Sequence, residues 1–124
     1  MNERDELRLR NMRDAANSAR KIARGRTREL LETDEMFNYA ILHLVQIIGE
    51  AANQVTPETR DRLPNLKWRQ MIAMRNRIIH AYDDLDLDIV WNTVINDLPT
   101  LISELEAILP PFVDEDIESN PDDV

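Results

Sequence analysis

Apolar side chains recur along this chain at intervals of three and four, and the intervals fall into separate stripes. Leu9, Met12, Ala15, Ala16, Ala19, Ile22 and Ala23 form the first, which is the spacing of a helix that buries one face. That helix is predicted from about Glu3 to Arg24, with Gly25 standing where a C-terminal cap belongs. Thr27 can open a short turn through Leu31, and Thr33 or Asp34 is the expected cap of a long second helix. Its stripe of Phe37, Ala40, Ile41, Leu44, Val45, Ile48, Ala51, Ala52 and Val55 is wide, so this should be the most buried helix. Thr56-Pro57 reads as a cap followed by proline at the first helical position, opening a short segment that ends near Leu63-Pro64. A third long helix is predicted from about Trp68 to Tyr82. Asp83-Asp84-Leu85-Asp86 then makes a turn, and Asp86 or Asp88 can cap a last helix. The stripe of that helix is Val90, Trp91, Val94, Ile95, Leu98, Leu101, Ile102, Leu105, Ile108 and Leu109, and Pro99 inside it is expected to cause a kink.

No useful alternation of period two, no Asn-Gly or Asp-Gly hairpin turn and no internal repeat interrupts this picture. With only two glycines and 5% aromatic residues, the pattern predicts an all-α fold of four to five helices. A chain of 124 residues is one domain's worth and can bury a single core. The domain is assigned to residues 1–110. Residues 111–124, after Pro110-Pro111, are acidic and poor in apolar side chains, which is the composition of a disordered tail.

Charge adds a second pattern. Residues 1–28 hold nine basic and four acidic side chains, a local charge of +5, which leaves −14 on the rest of a chain whose total is −9. From Asp83 to Val124 there is no Lys or Arg. Segregation of this kind can present a basic face to phosphates while the acidic part faces another partner, although a solvated helix face followed by an acidic tail gives the same pattern. The absence of cysteine removes disulfides, thiolate nucleophiles and thiolate metal sites together. The charged start, Met1 to Glu6, speaks against a secretory signal, and no apolar run is long enough to span a bilayer. A cytoplasmic protein with no membrane association is expected.

Candidate chemistry is concentrated in Met74-Arg75-Asn76-Arg77-Ile78-Ile79-His80-Ala81-Tyr82. A guanidinium stabilises phosphate charge, an imidazole moves protons near neutral pH, and a phenol can accept a covalent modification. At 100° per residue Arg75 and Tyr82 share one helical stripe and Asn76 and His80 another, whereas Arg75 and His80 point roughly 140° apart. Three arrangements would converge them: the long arginine wraps round, the helix is disturbed, or a second copy completes the site across a two-fold axis. The last is favoured, because an isologous dimer supplies two Arg and two His to one cleft. Such a cleft could cleave an RNA phosphodiester without a metal or other cofactor. The spacing alone also fits arginines paired with carboxylates beside a structural histidine.

A longer set of blocks extends the motif. Ile47-Ile48-Gly49-Glu50-Ala51-Ala52, Leu63-Pro64, Trp68, the motif itself, Leu87-Asp88-Ile89-Val90-Trp91 and Asn96-Asp97-Leu98-Pro99 together resemble the HepT family of HEPN-domain ribonuclease toxins. The resemblance implies a homodimeric HEPN bundle with a metal-independent RNA-cleaving site at the dimer interface, Arg75 and His80 catalytic and Asn76 in the polar position after the arginine. It also implies a partner, an MntA-type nucleotidyltransferase antitoxin that transfers AMP from ATP to the motif tyrosine, here Tyr82. The RNA target would be tRNA or mRNA, and a larger hetero-oligomer with the antitoxin is possible. A catalytically inactive HEPN subunit that binds or regulates a nucleotidyltransferase is the alternative.

Neighbouring residues are read more plainly. Glu50 can orient a motif arginine or form a plain ion pair with Arg75 or Arg77. His43 is expected to be structural, and Trp68 and Trp91 to pack in the core. His80 with Asp83, Asp84 and Asp86 lacks the donor set of a metal site. No Gly-rich phosphate loop is present, so the chain should not itself act on ATP.

Overall fold

The computed structural model describes residues 1–110, and every regular element among them is helical. The elements are α1 (Glu3–Ala23), α2 (Leu30–Thr33), α3 (Glu35–Gln54), α4 (Pro57–Asp61), α5 (Trp68–His80), a 3-10 turn (Tyr82–Asp84), α6 (Leu87–Asn92), a π-helical segment (Thr93–Asp97) and α7 (Leu98–Ile108). The assigned tail, 111–124, lies outside the described residues. No described helix is long and apolar enough to cross a membrane.

Helix ends fall where side chains can satisfy free backbone N–H groups. Asn2 accepts from Asp5 N at 2.7 Å, Asp34 from Phe37 N at 3.1 Å and Asp86 from Asp88 N at 2.9 Å. Gly25, just past α1, takes φ +76°, the left-handed conformation that glycine adopts without a Cβ penalty. Thr56 departs from its expected role: its side chain caps nothing on α4 and instead donates to Asp5. The carbonyls at the end of α3 are taken by Arg60, which donates to Ala52 O at 2.9 Å and Val55 O at 3.1 Å.

α3 is the hub, packed between α1 and α5, while α7 closes the core against α1. Leu9, Met12, Ile41, Ile48, Val90, Val94, Leu98 and Leu105 are buried almost completely. Trp91 meets Phe37 edge to face at 6.5 Å, and Trp68 donates to Leu63 O at 3.0 Å, so both tryptophans serve packing. Pro99 acts upstream of its own position. The chain widens into the π segment, where Leu98 N reaches back to Thr93 O, and Pro99 has no N–H for the next carbonyl in that register. That carbonyl, Val94 O, accepts from Arg20 of α1 at 3.3 Å.

One buried charge ties the two ends of the core layer together. Asp5 is 1% exposed and receives Thr56 Oγ1 and Thr59 Oγ1 at 2.5 Å each, with Thr56 N at 3.1 Å. Burial pushes its carboxyl up, but the hydrogen bonds from Thr56 and Thr59 more than reverse this and hold it below the usual carboxylate range. Its stabilising share is therefore complete above about pH 4, where an unfolded Asp is also ionised, and fades as pH falls toward the folded value. Asp5→Ala is expected to cost about 2–3 kcal/mol in urea unfolding at pH 7, and the gap to the wild type should narrow as pH falls below about 4.

Candidate active site

The site begins at the crossing of α3 and α5. A Cβ added to Gly49 would fall inside van der Waals contact of Arg75 Cβ and 2.6 Å from Met71 O. Only a residue without a side chain lets α5 lie this close, and the approach sets Arg75 at the seam between the helices. Arg75 Nε is buried without a hydrogen bond and faces Glu50 Oε1 at 3.9 Å, an ion-pair distance too long for a hydrogen bond. Arg75 Nη1 donates to Asn76 Oδ1 at 3.0 Å, and the arginine side chain remains 29% exposed. The same Glu50 oxygen accepts from Gln46 Nε2 at 3.1 Å. Gln46, Glu50, Arg75 and Asn76 thus form one chain of polar contacts across the crossing. Glu50 is 41% exposed, so the pair adds at most about 1 kcal/mol to stability.

His80 is the last residue of α5 and is exposed. The helix is continuous between Arg75 and His80, which keeps the two roughly 140° apart and removes local disturbance as a way to converge them. The expected helix to Tyr82 is corrected here. The hydrogen-bond ladder stops at His80, Ala81 turns to φ −139°, ψ 41°, and Tyr82 opens the 3-10 turn. Arg75 and Tyr82 therefore do not share a stripe of one unbroken helix. The motif is also less buried than its apolar residues suggest: Met74 and Ile78 face the core, while Asn76, Arg77, Ile79, His80 and Tyr82 are exposed.

His43 is exposed, on the solvent side of α3 with Met36 and Tyr39. Two contributors had no mark in the motif. Gln46 is one, recognisable only as an i,i+4 partner of Glu50. Tyr39 is the other: its ring lies 6.3 Å from that of Tyr82, a contact between residues far apart in sequence. No cluster of three or more His, Asp and Glu side chains able to hold a metal converges among the described residues.

The arrangement can do two things chemically. A partly exposed guanidinium held at a helix crossing can stabilise phosphate charge, and an unencumbered imidazole can transfer a proton. An all-helical bundle that presents Arg-x4-His-x-Tyr on the exposed side of its α3–α5 pair belongs to the HEPN class. A family model described as ribonuclease HepT-like matches residues 12–108. Two Methanocaldococcus jannaschii proteins that carry RNase names are similar, one 33% identical over 60% of this chain and 69% of its own length, the other 30% identical over 69% and 71%. A Thermococcus cleftensis protein named a probable ribonuclease HepT is 33% identical over 60% of this chain and 68% of its own. No solved structure matches the chain. The chain belongs to the ribonuclease HepT-like family, and its enzyme class is ribonuclease.

Gly49→Ala tests the crossing. The added methyl group meets backbone and a Cβ, neither of which can swing aside, so α5 must move. The expected outcome is a loss of about 1–3 kcal/mol in stability, together with reduced RNA cleavage at temperatures where the variant remains folded.

Proposed function

We propose that this chain is the endoribonuclease toxin of a toxin–antitoxin pair, acting in the cytoplasm as a homodimer and neutralised by an MntA-type nucleotidyltransferase that adenylylates Tyr82. The observation that carries this reading is the placement of Arg75, held at the Gly49 crossing and directed by Glu50 and Asn76 while its side chain stays partly open. Arg75 and His80 are the catalytic residues, and Asn76 and Glu50 support them. Because an intact helix separates Arg75 from His80, the reading requires a second copy, and the exposed Ile79 and half-buried Ile72 beside Arg75 offer apolar surface for it.

In the shared cleft one imidazole takes the proton of a ribose 2′-hydroxyl as that oxygen attacks phosphorus. The P–O5′ bond breaks, a second imidazole or a water protonates the leaving oxygen, and the products are a 2′,3′-cyclic phosphate and a 5′-hydroxyl. The two arginines stabilise the extra negative charge in the transition state. Nothing in these steps calls for a metal.

Control acts through Tyr82, two residues beyond His80. Its hydroxyl attacks the α-phosphorus of ATP, the bond to the β-phosphate oxygen breaks, pyrophosphate leaves, and the phenolic proton passes to a base. The resulting phosphodiester places bulk and negative charge beside the catalytic residues, where an RNA phosphate would otherwise bind.

His80→Ala and Arg75→Ala should each lower RNA cleavage by at least ~100-fold with thermal unfolding unchanged. Cleavage by the wild type should persist in excess EDTA. Intact RNA after incubation with the pure, unmodified dimer would favour the inactive binding subunit instead.

A further inference from the structure

The chain has two tyrosines, and the fold brings them together. Tyr39 lies on the outer side of α3 and Tyr82 in the turn after α5, with ring centroids 6.3 Å apart and ring planes inclined by 37°. Both are open to solvent, at 51% and 44% exposure. Tyr39 is anchored at its far end, where its hydroxyl donates to Glu35 Oε1 at 2.7 Å, one turn earlier on the same helix. This bond, and secondarily a hydrogen bond with Tyr82, push the Tyr39 hydroxyl up to about 12. Tyr82 has no equivalent anchor in its own helix, because the α5 ladder ends at His80 and Ala81 leaves the helical conformation.

We propose that Tyr39 is a positioning residue for Tyr82: its ring, packed against that of Tyr82, fixes the direction in which the Tyr82 hydroxyl leaves the surface, and so how that hydroxyl meets the α-phosphorus of a nucleotide donor. The inference rests on Tyr82 being the AMP acceptor. Nucleotidyl transfer needs the attacking oxygen in line with the leaving pyrophosphate, and a phenol on a short turn otherwise divides its time among several side-chain rotamers. Packing against Tyr39 removes the rotamers that swing toward α3. An orientation effect of this kind acts on kcat rather than on recognition of the protein surface.

The test uses the full-length chain labelled with 13C in its tyrosine rings, so that the NMR spectrum contains two sets of ring signals, assigned with Tyr39→Phe and Tyr82→Phe. In Tyr39→Ala the Tyr82 ring signals should move to the position and sharpness of a freely rotating surface tyrosine, while Tyr39→Phe, which keeps the ring contact, leaves them near the wild-type position. With the nucleotidyltransferase partner and Mg-ATP, Tyr39→Ala should lower kcat for AMP transfer to Tyr82 on the order of tenfold with KM little changed, and Tyr39→Phe should restore most of the rate. Unchanged Tyr82 signals in Tyr39→Ala overturn the proposal, as does wild-type kcat in that variant or a Phe variant as slow as the Ala variant. Absence of AMP on Tyr82 in the wild-type chain would instead overturn the acceptor reading, and the NMR comparison still decides whether Tyr39 positions Tyr82.

Discussion

Two helices in this protein approach until one of them has no room for a side chain. At Gly49 the α3 backbone lies against Met71 and Arg75 of α5, and a methyl group there would overlap both. Other features of the site follow from this approach. Arg75 is caught at its root, so its Nε is buried and only its outer part can reach solvent. Glu50, the next residue on α3, is carried to the same level and faces that Nε across 3.9 Å. Gln46, one turn earlier, holds the Glu50 carboxylate from the other side. A wider crossing would leave the arginine free to choose among the chain's many carboxylates.

The fold separates stability from chemistry. Its core is a continuous apolar cluster to which α1, α3 and α7 contribute, and a buried charge, Asp5, is tied by hydrogen bonds at the α1–α4 junction. The polar residues of the motif contribute little to either. Asn76, His80 and Tyr82 are exposed, and the Glu50–Arg75 pair is too solvated to matter much for folding. Exposed groups keep their reactivity at little cost in stability, but they need something to bring them together. In a single copy, the intact α5 helix keeps Arg75 and His80 on different sides.

Much of the architecture was legible in the sequence. The long helices, the Asp34 and Asp86 caps and the turn at Gly25 all follow from local rules that act within a few residues. The pairing of Glu50 with a motif arginine also follows from the sequence, because a carboxylate on the most buried helix needs a cation, whereas the close approach at Gly49 does not. What stayed hidden depends on residues distant in sequence. Asp5 looks like an ordinary acidic residue in a first helical turn, and its burial arises from Thr56 and Thr59, more than fifty positions away. Tyr39 looks like a surface aromatic until the end of α5 is folded against it. The break at Ala81 is hidden because helical periodicity carries through Tyr82 without a proline or glycine to stop it, and the expectation of a kink at Pro99 does not reveal the π segment just upstream of it.

In the proposed site the catalytic groups act from two copies of the chain. Dimers of Arg75→Ala and of His80→Ala, each inactive alone, can be co-expressed with different tags and the mixed dimer isolated. It contains one intact arginine and one intact histidine, never in the same protomer. If the site is shared across the two-fold axis, the mixed dimer cleaves RNA well above either parent. A mixed dimer as inactive as its parents would contradict the account, because it would mean that each protomer must supply both groups to its own site.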